Sequence, residues 1–194
     1  MSTIAWPTGL TPAAFMLRLA TTQRVFAAPL GGSEQAVDLL NDRWVCSLTL
    51  AARAGFDRGA QIEAFIAAMR GQTNTVNLWH FARPSVRGTL AAATCGAASQ
   101  GASAVTLTVT GTKTLKAGDM LGIGGLLLQV AADVSITTSG SVTLVNRLRA
   151  AISGGSAVTL AKPTAAFRFA SPDVGLSYRP GQSEPVALDF VEAI

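Results

Sequence analysis

Cys46, His80 and Cys95 are the residues of this chain with the intrinsic reactivity to serve as nucleophile, base or soft metal ligand. A cysteine attacks as its thiolate, which needs a base within hydrogen-bond reach or a setting, such as a helix N-terminus, that lowers its pKa. Cys46 and His80 are the pair a cysteine hydrolase would use, and both fall in stretches that read as β-strand. Cys46 sits between Trp44 and Leu48 on an apolar face, so a buried structural thiol is expected, with His80 a satisfied or half-buried strand residue. One histidine and two distant cysteines do not supply three or four metal ligands at usual spacing. Asp119, Asp133 and Asp173 read as isolated turn residues, Glu63 as solvent-facing, and Glu184 and Glu192 as parts of separate elements, so no carboxylates are paired for acid–base work. Gly122-Ile123-Gly124-Gly125 has the glycines of a phosphate loop but neither a following helix nor a GK[ST] or GxGxxG pattern, and a β-turn or bulge accounts for it. The expectation is therefore no catalytic, cofactor-binding or metal residue, and no enzyme.

The elements around these residues are better defined than any site. Between Arg43 and Leu50, Trp44, Cys46, Leu48 and Leu50 share one face while Arg43, Ser47 and Thr49 share the other, the period of a half-buried antiparallel strand. Asp57 then stands where a carboxylate accepts from the free amides of a first helical turn. Within Arg58 to Arg70 the residues Ile62, Phe65, Ile66 and Met69 form one apolar stripe, Arg70 is expected in the last turn, and Gly71 is expected to end the helix in the left-handed conformation. Asn74 to Phe81 follows as a strand. Upstream, Phe15 to Ala20 and Arg24 to Ala28 read as a hairpin or as two sequential strands, Pro29 to Gly32 ends that unit, and Gln35 to Leu40 reads as a third strand.

At Pro84 to Gly88 the composition shifts: from Thr89 to about Thr164 no aromatic residue occurs, and Gly, Ala, Ser and Thr dominate. The expectation is an inserted small β-domain over 89–164 within a main domain of 1–88 plus 165–194. Its strands are predicted at Ala104 to Thr110, Met120 to Ile123, Leu126 to Ala131, Ser141 to Val145 and Ala157 to Leu160, with turns at Lys116 to Asp119 and Thr138 to Gly140. Leu115 to Ile123 has the form of the opening turn of a small β-barrel, read as scaffold because the cysteine or serine and histidine that self-splicing needs are not evident. Aromatics return at Phe167, and Phe167 to Ala170, Ser177 to Arg179 and Pro185 to Ala193 are expected to complete the first sheet. The fold class expected is α+β, mostly β: an antiparallel sandwich or barrel-like sheet with one amphipathic helix and the insertion.

Composition bears on partners. The 194 residues are 49% hydrophobic and only 13% charged, well under the roughly one-quarter charge of ordinary soluble domains, so surface is expected to be covered by copies of the chain or by a partner. The +4 charge reflects 11 acids against 15 bases, with no basic run and no interleaved aromatics, which argues against a sequence-specific nucleic-acid binder. Met1 to Pro12 lacks a secretory pattern, and the longest apolar run, Gly122 to Ala132, is far short of the roughly 20 residues of a membrane span. With two cysteines read as free thiols, a soluble chain made in a reducing cytoplasm is expected.

The run Asn41 to Leu50, the helix ending Ala64-Phe65-Ile66-Ala67-Ala68-Met69-Arg70-Gly71, and Asn74 with Phe81-Ala82-Arg83-Pro84 together resemble the tail-tip proteins of tailed bacteriophages, in which an arginine-tryptophan strand precedes a helix closed by Arg-Gly and a further strand. Leu115 to Ile123, Val142 to Leu148 and Pro163 to Phe169 are similar to the inserted domain of some tail or baseplate components. The resemblance is close over about forty residues and loose over most of the chain. It implies a distal tail protein: a virion subunit, built as a hexameric ring between tail tube and tip, contacting the tube and hub proteins, with DNA passing through the ring. The family's separate carbohydrate-binding-like C-terminal domain has no counterpart, an insertion standing inside the main fold instead. A tail terminator, a head-to-tail connector and a host-glycan-binding module are the other readings.

Overall fold

The computed structural model describes residues 1–27, 31–39 and 41–193; Ala28, Pro29 and Leu30 of the predicted first unit, Leu40 at the end of the predicted third strand, and the terminal Ile194 lie outside them. The elements run β1 (Thr3–Ile4), β2 (Ala14–Ala20), β3 (Gln23–Ala27), β4 (Glu34–Asp38), β5 (Arg43–Leu50), β6 (Arg53–Ala54), α1 (Asp57–Met69), β7 (Thr75–Leu78), β8 (Thr94–Cys95) and β9 (Ala104–Thr108). They continue with β10 (Lys113–Leu115), β11 (Met120–Ile123), β12 (Leu126–Gln129), β13 (Val134–Ile136), β14 (Ser139–Thr143), β15 (Ser156–Thr159), β16 (Ala165–Phe169), β17 (Tyr178–Arg179), β18 (Gln182–Ser183) and β19 (Val186–Glu192). The fold is α+β and mostly β, antiparallel apart from the short β1–β7 pair, with one helix.

Six strands in the order β1-β7-β16-β19-β5-β2 form the main sheet. β5 occupies the predicted span, and Trp44, Cys46, Leu48 and Leu50 are all buried. Val186, Leu188 and Phe190 of β19 face the same way, as do Phe167 and Phe169 of β16. This face is apolar because alternate residues are, and it demands a cover. Helix α1 provides it with Ile62, Phe65 and Met69, and rings lock the layers: Phe169 stacks on Phe190 at 4.8 Å, and Phe65 meets Phe169 and Trp6 edge-on at 6.2 and 5.3 Å.

Both helix ends differ from expectation. Phe56, not Asp57, holds the N-cap position with no side-chain bond, so Asp57 acts through its charge in the first turn. At the other end Arg70 itself is left-handed (φ 48°), ahead of a left-handed Gly71 (φ 63°), so it is a cap and not a last-turn residue. Asn74 satisfies the loose carbonyls, its amide donating to Met69 O at 3.1 Å and its Nδ2 to Ala68 O at 2.8 Å. The strand expected over Asn74 to Phe81 stops at Leu78, and Trp79, His80 and Phe81 turn out of the sheet.

A second apolar cluster, from Leu90 to Leu160, fills the space between β12-β11-β15-β8-β9-β14 and the ribbon β10-β13, with Leu107, Leu121, Ile123, Val130 and Val142 at its centre. Met120 to Ile123 matches its predicted bounds, and Gly124 and Gly125, both at positive φ, make the two-residue β11–β12 turn. The turn expected at Thr138 to Gly140 falls one residue earlier, because Ser139 and Gly140 already pair with Thr108 and Leu107. Gly88 passes so close to Thr114 that a Cβ there would lie 1.9 Å from the Thr114 carbonyl oxygen.

The two cores meet at a polar and apolar joint. Met120 and Leu127 reach into the main core, and the buried indole of Trp44 donates from Nε1 to Leu127 O at 2.8 Å. Glu192 accepts from the Trp44 amide at 2.9 Å and pairs with Arg149. Asp119 is not an isolated turn residue: buried, it accepts from the amides of Lys116 and Arg87 and from Arg87 Nε at 2.9–3.1 Å, fixing the chain where it crosses between cores.

Candidate assembly surface

The reactive side chains are dispersed. Cys46 is fully buried on β5 between Leu17 and Phe190 across the neighbouring strands, and burial, aided by Asp189, pushes its thiol up to about 12. That thiol stays protonated at neutral pH, the opposite of what a nucleophile needs. His80 lies beyond the end of β7; its Nδ1 accepts from the Arg83 amide at 3.0 Å and its ring meets Phe15 edge-on at 5.0 Å. Burial, and then the Arg83 charge, hold its pKa below the usual histidine value. Cys95 is buried in the second core, where desolvation raises its pKa. Among the described residues no three of His, Cys, Asp and Glu are grouped as metal ligands.

The acids are engaged structurally. Glu63 is exposed on the helix, Glu184 pairs with Arg179, and Asp133 holds Lys116 Nζ at 2.8 Å and the Ala117 amide at 2.8 Å. Asp173 is an exposed loop residue whose amide donates to Ser171 Oγ. Glu192 is raised above the usual carboxylate range by burial, with the Trp44 amide and Arg149 opposing. Among the described residues no helix is long and apolar enough to cross a membrane.

What stands out instead is an arm. Phe15 to Ala20 and Arg24 to Ala28, read as a hairpin or as two sequential strands, are sequential strands that do not pair with each other: β2 pairs with β5, with Ala20 opposite Arg43, and just beyond, β3 pairs with β4, with Gln23 opposite Asp38. The four strands thus form one long hairpin, its base woven into the main sheet and its outer part a two-stranded ribbon. Every residue of that ribbon is exposed. Opposite residues of an antiparallel pair share a face, so Phe26 and Val37 lie on one side with Arg24 and Gln35, while Val25, Ala27 and Ala36 lie on the other with Glu34 and Asp38. Phe26 is 57% exposed and Val25 54%, with Leu39 exposed at the root. A lone two-stranded ribbon is marginal in water, and clustered exposed apolar side chains mark contact surfaces.

The root of the arm adjoins a second open surface. Helix α1 covers one face of the main sheet; on the other, Met16, Ala187 and Asp189 are exposed and Val45 and Val191 half-buried. Arg18 of β2 is opposite Val45, Val45 opposite Val191, and Val191 opposite Arg168 of β16, so an arginine stands at each end of one row across four strands. Arg43, beside Ala20, adds a third. The Nε atoms of Arg43 and Arg168 are buried and have no hydrogen-bond partner among the described residues. β2 is the last strand on its side of the sheet, which leaves an edge for pairing. This basic face is not visible in the sequence, because its arginines are far apart in the chain and only strand register brings them together.

No protein-family model matches the chain, and no curated protein matches it significantly.

Proposed function

We propose that this protein is a structural subunit of a tailed-bacteriophage virion, a distal tail or tail-tip adaptor that self-assembles into a ring, hexameric in the family it resembles, between the tail tube and the tip complex. Its work is architectural and involves no turnover, cofactor or metal. The observation that carries the reading is the arm: an exposed ribbon with apolar side chains on both sides, rooted in the edge strand β2 of the main sheet and in β5 beside it, on a chain with few charges to keep such a surface in water. A chain built this way hides the ribbon against other subunits. The protein is made in the host cytoplasm and ends in the tail, beside tube and hub proteins and around the path of DNA.

The test is the mass and shape of the purified protein. Sedimentation equilibrium and negative-stain images are expected to show closed rings at micromolar concentration, and labelled protein is expected at the tail tip of assembled particles. A monomer at every concentration that never joins tail proteins ends the reading. The insertion from Thr89 to Thr164 holds no aromatic side chain on which a sugar could stack, so nothing specific favours the glycan-binding reading.

A further inference from the structure

The open face of the main sheet carries positive charge at three fixed points. Arg18 of β2 and Arg168 of β16 end one row of residues across four strands, which at the usual strand spacing sets them roughly 14 Å apart. Arg43 lies two residues along β5 from Val45 in that row, about 7 Å away. None of the three makes an ion pair among the described residues. Arg43 acts on the buried Glu192, but that carboxylate is already held by Arg149 and the Trp44 amide. Asp189, the acid these strands place on the same side, accepts from Ser47 Oγ. Between the arginines the side chains are small, Val45 and Val191 in the row with Ala20 and Ala187 near it.

This combination selects among polyanions. Single-stranded nucleic acid is held on aromatic side chains against which its bases stack, and β2, β5, β16 and β19 place none on this side. A lipid surface is met by cations set among large apolar side chains, and Met16 alone is of that kind here. A duplex asks for neither. Its phosphates accept from guanidinium forks whatever the sequence, and its major groove is about 12 Å wide, close to the separation of Arg18 and Arg168.

We propose that the open face of the main sheet binds the phosphate backbone of double-stranded DNA, without reading its sequence, through Arg18, Arg43 and Arg168. Arg18 and Arg168 meet phosphates on the two sides of a groove and Arg43 a neighbouring one, while the small side chains between them let the sheet lie close without contacting base edges. The inference deepens the reading above, in which the chain surrounds the path of DNA, and rests on it for its place in the particle. The contact itself is measurable on the purified chain whatever its oligomeric state.

Fluorescence anisotropy of a labelled DNA duplex of about 25 base pairs, titrated between about 50 and 200 mM salt, tests it. The logarithm of the affinity is expected to fall linearly with that of the salt concentration, by about 0.9 for each phosphate contact, and equally for two duplexes of unrelated sequence. R18A/R168A is expected to lose about two-thirds of that slope and at least tenfold in affinity at the lowest salt. R147A/R179A removes the same charge from exposed residues elsewhere and is expected to change affinity less than about threefold, as is R18K/R168K, which keeps the charges in place. All four substituted residues lie outside both apolar cores, and far-UV circular dichroism and the thermal midpoint check that each variant folds. A wild type without salt-dependent binding, equal losses in the two alanine variants, loss in the lysine variant, or a preference for one sequence overturns the inference. Binding to vesicles of anionic phospholipid in place of the duplex overturns it too. None of these outcomes touches the ring, which mass and shape decide. A monomer that keeps the arginine-dependent slope ends the ring reading and leaves this contact standing.

Discussion

The two cores reach the same dryness by different chemistry. The main core is built on rings: Phe65, Phe167, Phe169, Phe190 and Trp44 fill the space between sheet and helix, with Trp6, Phe15 and Phe81 closing its margin. The second core, from Leu90 to Leu160, has no ring at all and is packed with Leu, Ile and Val on strands of two to five residues. Large rings concentrate burial in a few side chains, so the main core can afford loops and an arm. The second spreads the same task over many small contributions, each backed by tight backbone approaches such as that of Gly88 to Thr114. The difference teaches where each part is fragile, at single rings in one and at chain geometry in the other.

The largest effect should come from a ring. Phe190→Ala removes the partner stacked on Phe169 and is expected to cost about 3–5 kcal/mol. Trp6, Trp44 and Trp79 all lie in the main part, so tryptophan fluorescence during urea unfolding reads it directly. Leu107→Ala, at the centre of the other core, is expected to cost about 2–5 kcal/mol. If the joint makes the molecule one cooperative unit, that loss also moves the tryptophan transition. A tryptophan transition that stays put while circular dichroism shifts would show the cores unfolding separately.

The joint comes next. Arg149→Met leaves the carboxylate of Glu192 buried without its cation and is expected to cost about 2–3 kcal/mol, below the range for a fully buried pair because Arg149 keeps a fifth of its side chain in solvent. Glu192→Gln should separate burial from pairing through pH. The folded-state pKa of Glu192 lies above its ordinary value of 4.5, so the folded chain takes up this proton before the unfolded chain does. Stability from this group therefore falls as pH rises through the window between those values. The wild type should gain on the Gln variant as pH is lowered from 7 toward 4.5, measured by urea midpoints; a constant difference would refute the assignment. The smallest effect belongs to the arm: Phe26→Ser is expected to change the stability of the isolated chain by no more than about 0.5 kcal/mol, because the ring is already in solvent.

Sequence reasoning reached the elements whose periodicity is long enough to be unambiguous. β5 and β11 have their predicted bounds, and the stripe of Ile62, Phe65 and Met69 is the buried face of α1. The strands β8, β10 and β13 went unseen because two or three residues cannot display a period. Alternation carries the expected Asn74 to Phe81 strand through Trp79 and Phe81; in the structure these two pack on each other at 4.6 Å, and Phe81 on Trp6 and Phe15, outside the ladder. The burial of Asp119 and Glu192 was also out of reach, since partners such as Arg87 and Arg149 are set by tertiary register. The same holds for the candidate surface: the strands of the arm were legible, but its projection from the sheet and the arginine row were not.

The woven root of the arm sets how the chain bears force. β5 leads directly out of the arm and pairs with β19 over six residues and with β2 over seven. Ladder hydrogen bonds run across the strands, so a tug on the ribbon along its axis, which draws β2 and β5 together, loads the β5–β19 ladder in shear and does not unzip it one bond at a time. A neighbour gripping the ribbon would therefore pull against that six-residue ladder, and strain arising at one subunit would be handed to the next with little slack.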